Sequence, residues 1–171
     1  MKKSIKSFTL TIVLLSFAAV TFAQVTAQAT ATAIIVTPIA IVKTTDMNFG
    51  NLAVSPTIPG TVVLPAALAP VRTITGGVTL MPGGTITAAA FTVTGLANAT
   101  YSILLPASAS LTGPGAPMTA DTFVSSPTVA AGGLLTGGSE TLYVGATLNV
   151  AAAQVAGTYT SLAFNVTVNY N

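Results

Sequence analysis

The chain contains no cysteine, no histidine and no tryptophan. Without cysteine there is no disulfide and no thiolate nucleophile. Without histidine there is no imidazole acid–base pair, and together the two absences remove the commonest zinc ligands. Charge is also scarce: acidic and basic residues make up 5% of the chain, where a soluble domain usually carries about a quarter. Lys2, Lys3 and Lys6 supply three of the five basic residues. Beyond them Lys43 and Arg72 face Asp46, Asp121 and Glu140, so the formal +2 of the whole chain becomes −1. Two cations are too few for a nucleic-acid patch. The three acids lie far apart in sequence and read as solvated turn residues rather than the paired carboxylates of a glycosidase. Asp46, in "KTTDMNFG", reads as an aspartate bonded to its own turn. Glycine pairs beginning at 76, 83, 132 and 137 precede no helical pattern, which excludes a phosphate-binding loop. The expectation is a protein that is not an enzyme, with no catalytic residue, no metal and no cofactor.

What is present begins with a leader. "MKKSIKS" is followed by the apolar run "FTLTIVLLSFAAV" and then "TFA" before Gln24, the order of a cleaved secretory signal over 1–23. The run of 13 residues is shorter than the ~20 that span a bilayer. A retained N-terminal anchor is the other reading. Export places the remaining 148 residues in the periplasm, the outer envelope or the cell surface, not spanning the membrane once the leader is removed. That length suits one domain with a core of its own. With so few charges its surface must be largely Thr, Ser, Asn, Gly and Ala, which suits packing against copies or partners better than free diffusion.

Residues 24–36, "QVTAQATATAIIV", alternate small apolar side chains with Thr and Gln and predict an extended arm or first strand over 24–35. The domain proper follows over 36–171. "GTVVL", "VRTITGGVTL" and "MPGGTITAAAFTVTG" read as short strands parted by Pro and Gly. Phe91 and Val93, then Tyr101, Ile103 and Leu105, flank "GLANAT", a loop of hairpin length. Leu142, Val144, Ala146, Leu148 and Val150 share one face of a long strand. Ser108 to Gly138 holds one strand near Met118 to Val124 and otherwise loops, and Ala151 to Gln154 forms a turn at most. The chain closes on "GTYTSLAFNVTVNYN", where Leu162, Phe164, Val166, Val168 and Tyr170 fall at every second position. Asn98 and Asn165 begin glycosylation-type triplets, the second inside that final strand. Eight or nine strands without crossover helices predict an all-β, antiparallel sandwich. A transmembrane barrel is the rival, disfavoured by 6% aromatics and no tryptophan where aromatic girdles are needed.

"MNFGNLAV", "GTVVL", "AAFTVTGLANATYSILLP", "LYVGATLNV" and "GTYTSLAFNVTVNYN" together resemble the bacterial family called domain of unknown function 4402, from about Ile34 to the end. That resemblance implies a fold and an exported location rather than an activity. The ending is also similar to chaperone-usher pilus subunits and spore-coat U proteins, which finish on an apolar strand with a penultimate tyrosine and a glycine fourteen positions before the last residue. Here these are Tyr170 and Gly157. This second resemblance implies an immunoglobulin-like, pilin-like sandwich lacking its last strand, the gap filled by a periplasmic chaperone and then by a neighbour's N-terminal arm. Val25, Ala27, Ala29, Ala31, Ala33 and Ile35 would be the donor side chains, and Gly157 with the alternating residues up to Tyr170 the assembly strand. The chain departs from that pattern in having no disulfide and an arm of mostly alanine. In the other reading, arm and final strand both belong to their own domain's sheets.

Two functions follow as expectations. One is a structural or adhesive envelope subunit, fimbria-like, with copies of itself or a periplasmic chaperone as partners. The alternative is a monomeric secreted module that recognises a glycan or an envelope partner through loops such as 111–117 and 128–138.

Overall fold

The computed structural model describes residues 24–171, so the leader read at 1–23 lies outside the described residues. Contacts divide the chain at Ile35 and Val36 into two units. The described part of the first, residues 24–35, forms no strand or helix and is exposed throughout. The second unit is all β among the described residues, apart from one 3-10 turn at Thr136–Gly138.

Its strands are β1 (Ala40–Thr45), β2 (Asn48–Phe49), β3 (Leu52–Val54), β4 (Gly60–Leu64) and β5 (Thr73–Gly76). Next come β6 (Val78–Leu80), β7 (Ile86–Thr87), β8 (Ala89–Thr94), β9 (Thr100–Leu104) and β10 (Ser108–Thr112). The last are β11 (Met118–Ser126), β12 (Gly133–Leu134), β13 (Ser139–Val150), β14 (Thr160–Ser161) and β15 (Thr167–Tyr170). The expected eight or nine strands are thus cut into fifteen. Proline and glycine cause the cuts: Gly76, the last residue of β5 at φ 63°, and Gly77 after it turn the chain into β6, and Pro106 lies between β9 and β10.

One large antiparallel sheet runs β1-β8-β13-β11-β10-β14. β13 is its spine. The first half of this 12-residue strand pairs with β8 and the second half with β4, which pairs in turn with β5, while β11 occupies the other edge. Leu142, Val144, Ala146, Leu148 and Val150 are all buried, as their period of two predicts, each Leu or Val contributing about 1.5–3 kcal/mol. A second sheet, β12-β9-β15, covers the first half of the spine. Between the layers lie Phe91, Val93, Leu142 and Val144 from one sheet and Tyr101, Ile103 and Val168 from the other. Beyond the second sheet, Val62, Leu64, Ala146, Leu148 and Val150 pack with Phe49, Val78 and Ala120, walled by the pairs β2–β7 and β3–β6. The large sheet ends at β1 and β14, which do not pair with each other, so no barrel closes.

Three expectations need correction. "GLANAT" does not close a hairpin: β8 belongs to the large sheet and β9 to the small one, so the loop carries the chain across the sandwich. Phe91 and Tyr101 can then face each other across the core rather than along one sheet. The stretch 108–138 holds β10 and β12 as well as β11, since Ser and Gly in them still make ladder bonds without an apolar pattern to reveal them. Leu162, placed on the buried face of the final strand, is 90% exposed, because residues 162–166 form no strand and the alternation holds only from Phe164 onward.

Candidate functional site

The C-terminal chain carries the residues singled out for assembly, and the fold treats them unequally. Gly157 lies in a corner, with no space for a side chain: a Cβ there would stand 2.5 Å from Cγ of Pro114. Two residues on, the Tyr159 hydroxyl donates to the Val155 carbonyl at 2.9 Å and accepts the Gly115 N–H at 3.0 Å. Gln154 Nε2 donates to the Ala116 carbonyl in the same loop. Residues 113–117 are therefore tied to 154–159. Residues 133–135 are tied down too, through the β12–β9 pairing and the Leu135 N–H donated to Ala99 O at 2.9 Å. Both loops expected to present a recognition surface are thus bonded to the body of the domain.

From Thr160 the chain passes from the large sheet to the small one. β14 pairs with β10 in the register Leu111↔Ser161, and β15 pairs with β9 in the register Thr167↔Leu104. Phe164 is half-buried, its ring 5.2 Å from that of Phe123 at an interplanar angle of 55°. Phe123 is turned inward by a bulge in β11, where the register shifts between Asp121 and Val124 and Thr122 adopts φ 49°. Val166 and Tyr170 are half-buried against the core and Val168 is buried within it. The Tyr170 hydroxyl accepts the Leu96 N–H at 2.6 Å and donates to the Thr37 carbonyl at 2.8 Å, fastening the last strand to the segment that leads into β1. Gly95 leaves room for that hydroxyl, since a Cβ there would lie 2.2 Å from it. β15 pairs with β9 alone, and β1 approaches its free edge without pairing. Asn165 stands in the unpaired segment, exposed, and not inside a strand.

The charged groups are each engaged locally. Lys43 and Asp46 form an exposed ion pair at 2.6 Å, and the Asp46 carbonyl accepts the Thr87 hydroxyl. Asp121 and Glu140, read as turn residues, are on strands. Asp121 accepts from Asn149 Nδ2 at 2.9 Å. Glu140 Oε2 accepts the Tyr101 hydroxyl at 2.8 Å and the Leu134 N–H at 2.9 Å. Burial, then the hydrogen bond and charge of Glu140, push the Tyr101 phenol above its ordinary value. Asp121 stands opposite Thr147, seven residues along β13 from Glu140, a separation of roughly 23 Å at strand rise. The two carboxylates cannot share a scissile bond. Arg72 is buried, its Nη1 donating to the carbonyls of Phe49 and, at 3.2 Å, Asn51, while its Nε has no partner. The "NFGN" corner thus wraps a guanidinium, with the Gly50 N–H bonded to Asn48 Oδ1 at 2.8 Å. Sequence reasoning missed this role because nothing local links Arg72 to a turn 21 residues earlier.

Fold and surface together define an all-β sandwich domain whose charged side chains serve its own turns and ladders. The chain belongs to the family described as domain of unknown function (DUF4402), whose model matches residues 39–170. No curated protein and no solved structure matches it.

Proposed function

We propose that this protein is an exported, non-catalytic subunit of a bacterial envelope or cell surface, structural or adhesive, that assembles by strand complementation: the 24–35 arm of one copy completes the backbone pairing of the next at its C-terminal strand. One observation carries the reading. From Leu162 to Tyr170 the backbone is under-paired, with no ladder over 162–166 and a ladder on one edge only over 167–170. An open strand edge in a charge-poor surface is a template for another chain. Main-chain bonds would supply affinity in such a union, and alternate side-chain pockets selectivity. The arm fits the donor role, being uncharged, alternating and in no strand of its own. The leader read at 1–23 and the resemblance of the ending to pilus subunits point the same way.

The test is the assembly state of the full protein and of a variant lacking residues 24–35. The reading predicts multimers that survive detergent, dissociate on heating and disappear with the arm. Heat-insensitive monomer from both proteins, with turnover of a defined small substrate, would refute it.

A further inference from the structure

The C-terminal strand offers two open places, and resting on the reading above we infer that the arm of a second copy enters a slot between residues 105–110 and 162–166, not the outer edge of β15. The ladders on either side identify the slot. Leu104↔Thr167 is the last pair of β9–β15, and Leu111↔Ser161 the first of β10–β14. The partner numbers sum almost alike, so the two ladders are one antiparallel ribbon interrupted for six residues on one strand and five on the other. Over that interruption the walls part around a cleft of about 520 Å³, within the range of ligand sites. Leu105, Ala109 and Ser110 line one wall, and Leu162, Phe164 and Asn165 the other.

Three observations choose the slot over the outer edge. A guest strand in the slot would find backbone groups on both sides, one wall parallel to it and one antiparallel, whereas β15's outer edge offers a single ladder. That outer edge is also fastened at its end by the Tyr170 hydroxyl bonded to Thr37 and Leu96. Finally, Leu104 and Leu162, at the two ends of the interruption, are 65% and 90% exposed, an apolar cost that an occupant would relieve.

The occupant is chosen by chemistry on both sides. The cleft lining holds no charged residue, and neither does the segment 24–35. Ala27, Ala29, Ala31 and Ala33 would turn toward Phe164 and Leu105, the apolar side chains of the two walls, and Thr26, Gln28, Thr30 and Thr32 would turn to water. Five wall residues span about 17 Å at strand rise, so a twelve-residue arm fills the slot with chain to spare.

Because the chain has no cysteine, disulfide mapping has no background. Full-length protein carrying Thr30→Cys, on the water-facing side of the docked arm, is mixed under oxidation, in turn, with Ser110→Cys, Asn165→Cys and Asn169→Cys, all exposed positions. Mixed dimers with Ser110→Cys and Asn165→Cys but not Asn169→Cys are expected, and a second arm substitution, Ala29→Glu, should abolish them. A dimer with Asn169→Cys alone would overturn the slot while leaving strand complementation standing. No mixed dimer with any variant, together with monomer on unheated gels, would overturn both.

Discussion

Replacing Tyr101 with phenylalanine removes one oxygen from a fully buried side chain and leaves its packing intact. The lost bond runs from a phenol to a carboxylate, 2.8 Å long, and charge-assisted bonds of this kind contribute about 1.5–3 kcal/mol. Glu140 keeps the Leu134 N–H, which holds the loss within that range. For a domain of this size that is roughly 5 to 9 °C in Tm. The pH dependence follows from the raised phenol. A group whose folded pKa exceeds its unfolded value stabilises fully below the unfolded value, about 10 for tyrosine, and loses that contribution as pH rises beyond it. Thermal unfolding by circular dichroism at pH 7, 9, 10 and 11 should therefore show a constant gap between wild type and Tyr101→Phe up to pH 9 and a shrinking one above. A gap below about 0.5 kcal/mol at pH 7, or one that does not change with pH, would refute the reasoning.

Other outcomes follow from the same geometry. Leu162→Ser should leave stability within about 0.5 kcal/mol, whereas Val168→Ala, six residues on, should cost about 2 kcal/mol, read by chemical denaturation. Tyr170→Phe removes two hydrogen bonds to water-accessible partners and should cost about 1–2 kcal/mol, with faster hydrogen exchange at Leu96. Arg72→Met leaves the Phe49 and Asn51 carbonyls without their donor and should cost about 2–4 kcal/mol by chemical denaturation, part of it recovered by Arg72→Lys, since both bonds come from the single nitrogen Nη1.

Legibility differed along the chain for physical reasons. β13 was plain in the sequence because its five apolar residues share one buried face with no interruption. β10 was hidden, since "SASLT" bonds through its backbone and lies half in water, leaving no apolar period to read. Period two correctly placed Phe164, Val166, Val168 and Tyr170 inward, yet it projected the pattern back to Leu162, where the chain is changing sheets. The connection of β8 to β9 misled for a related reason: loop length alone does not tell a hairpin from a crossing between layers. Glu140 was mistaken for a solvated acid because its partners, Tyr101 and the Leu134 N–H, come together only through the β9–β12 ladder. The arm was legible as uncharged and alternating, and residues 24–35 carry no strand among the described residues.

The most direct test of strand complementation is an unheated denaturing gel of the native envelope fraction, probed with antibody to residues 36–171. A ladder of multimers that collapses to monomer on boiling is the predicted result; a single monomer band before and after heating would contradict the account.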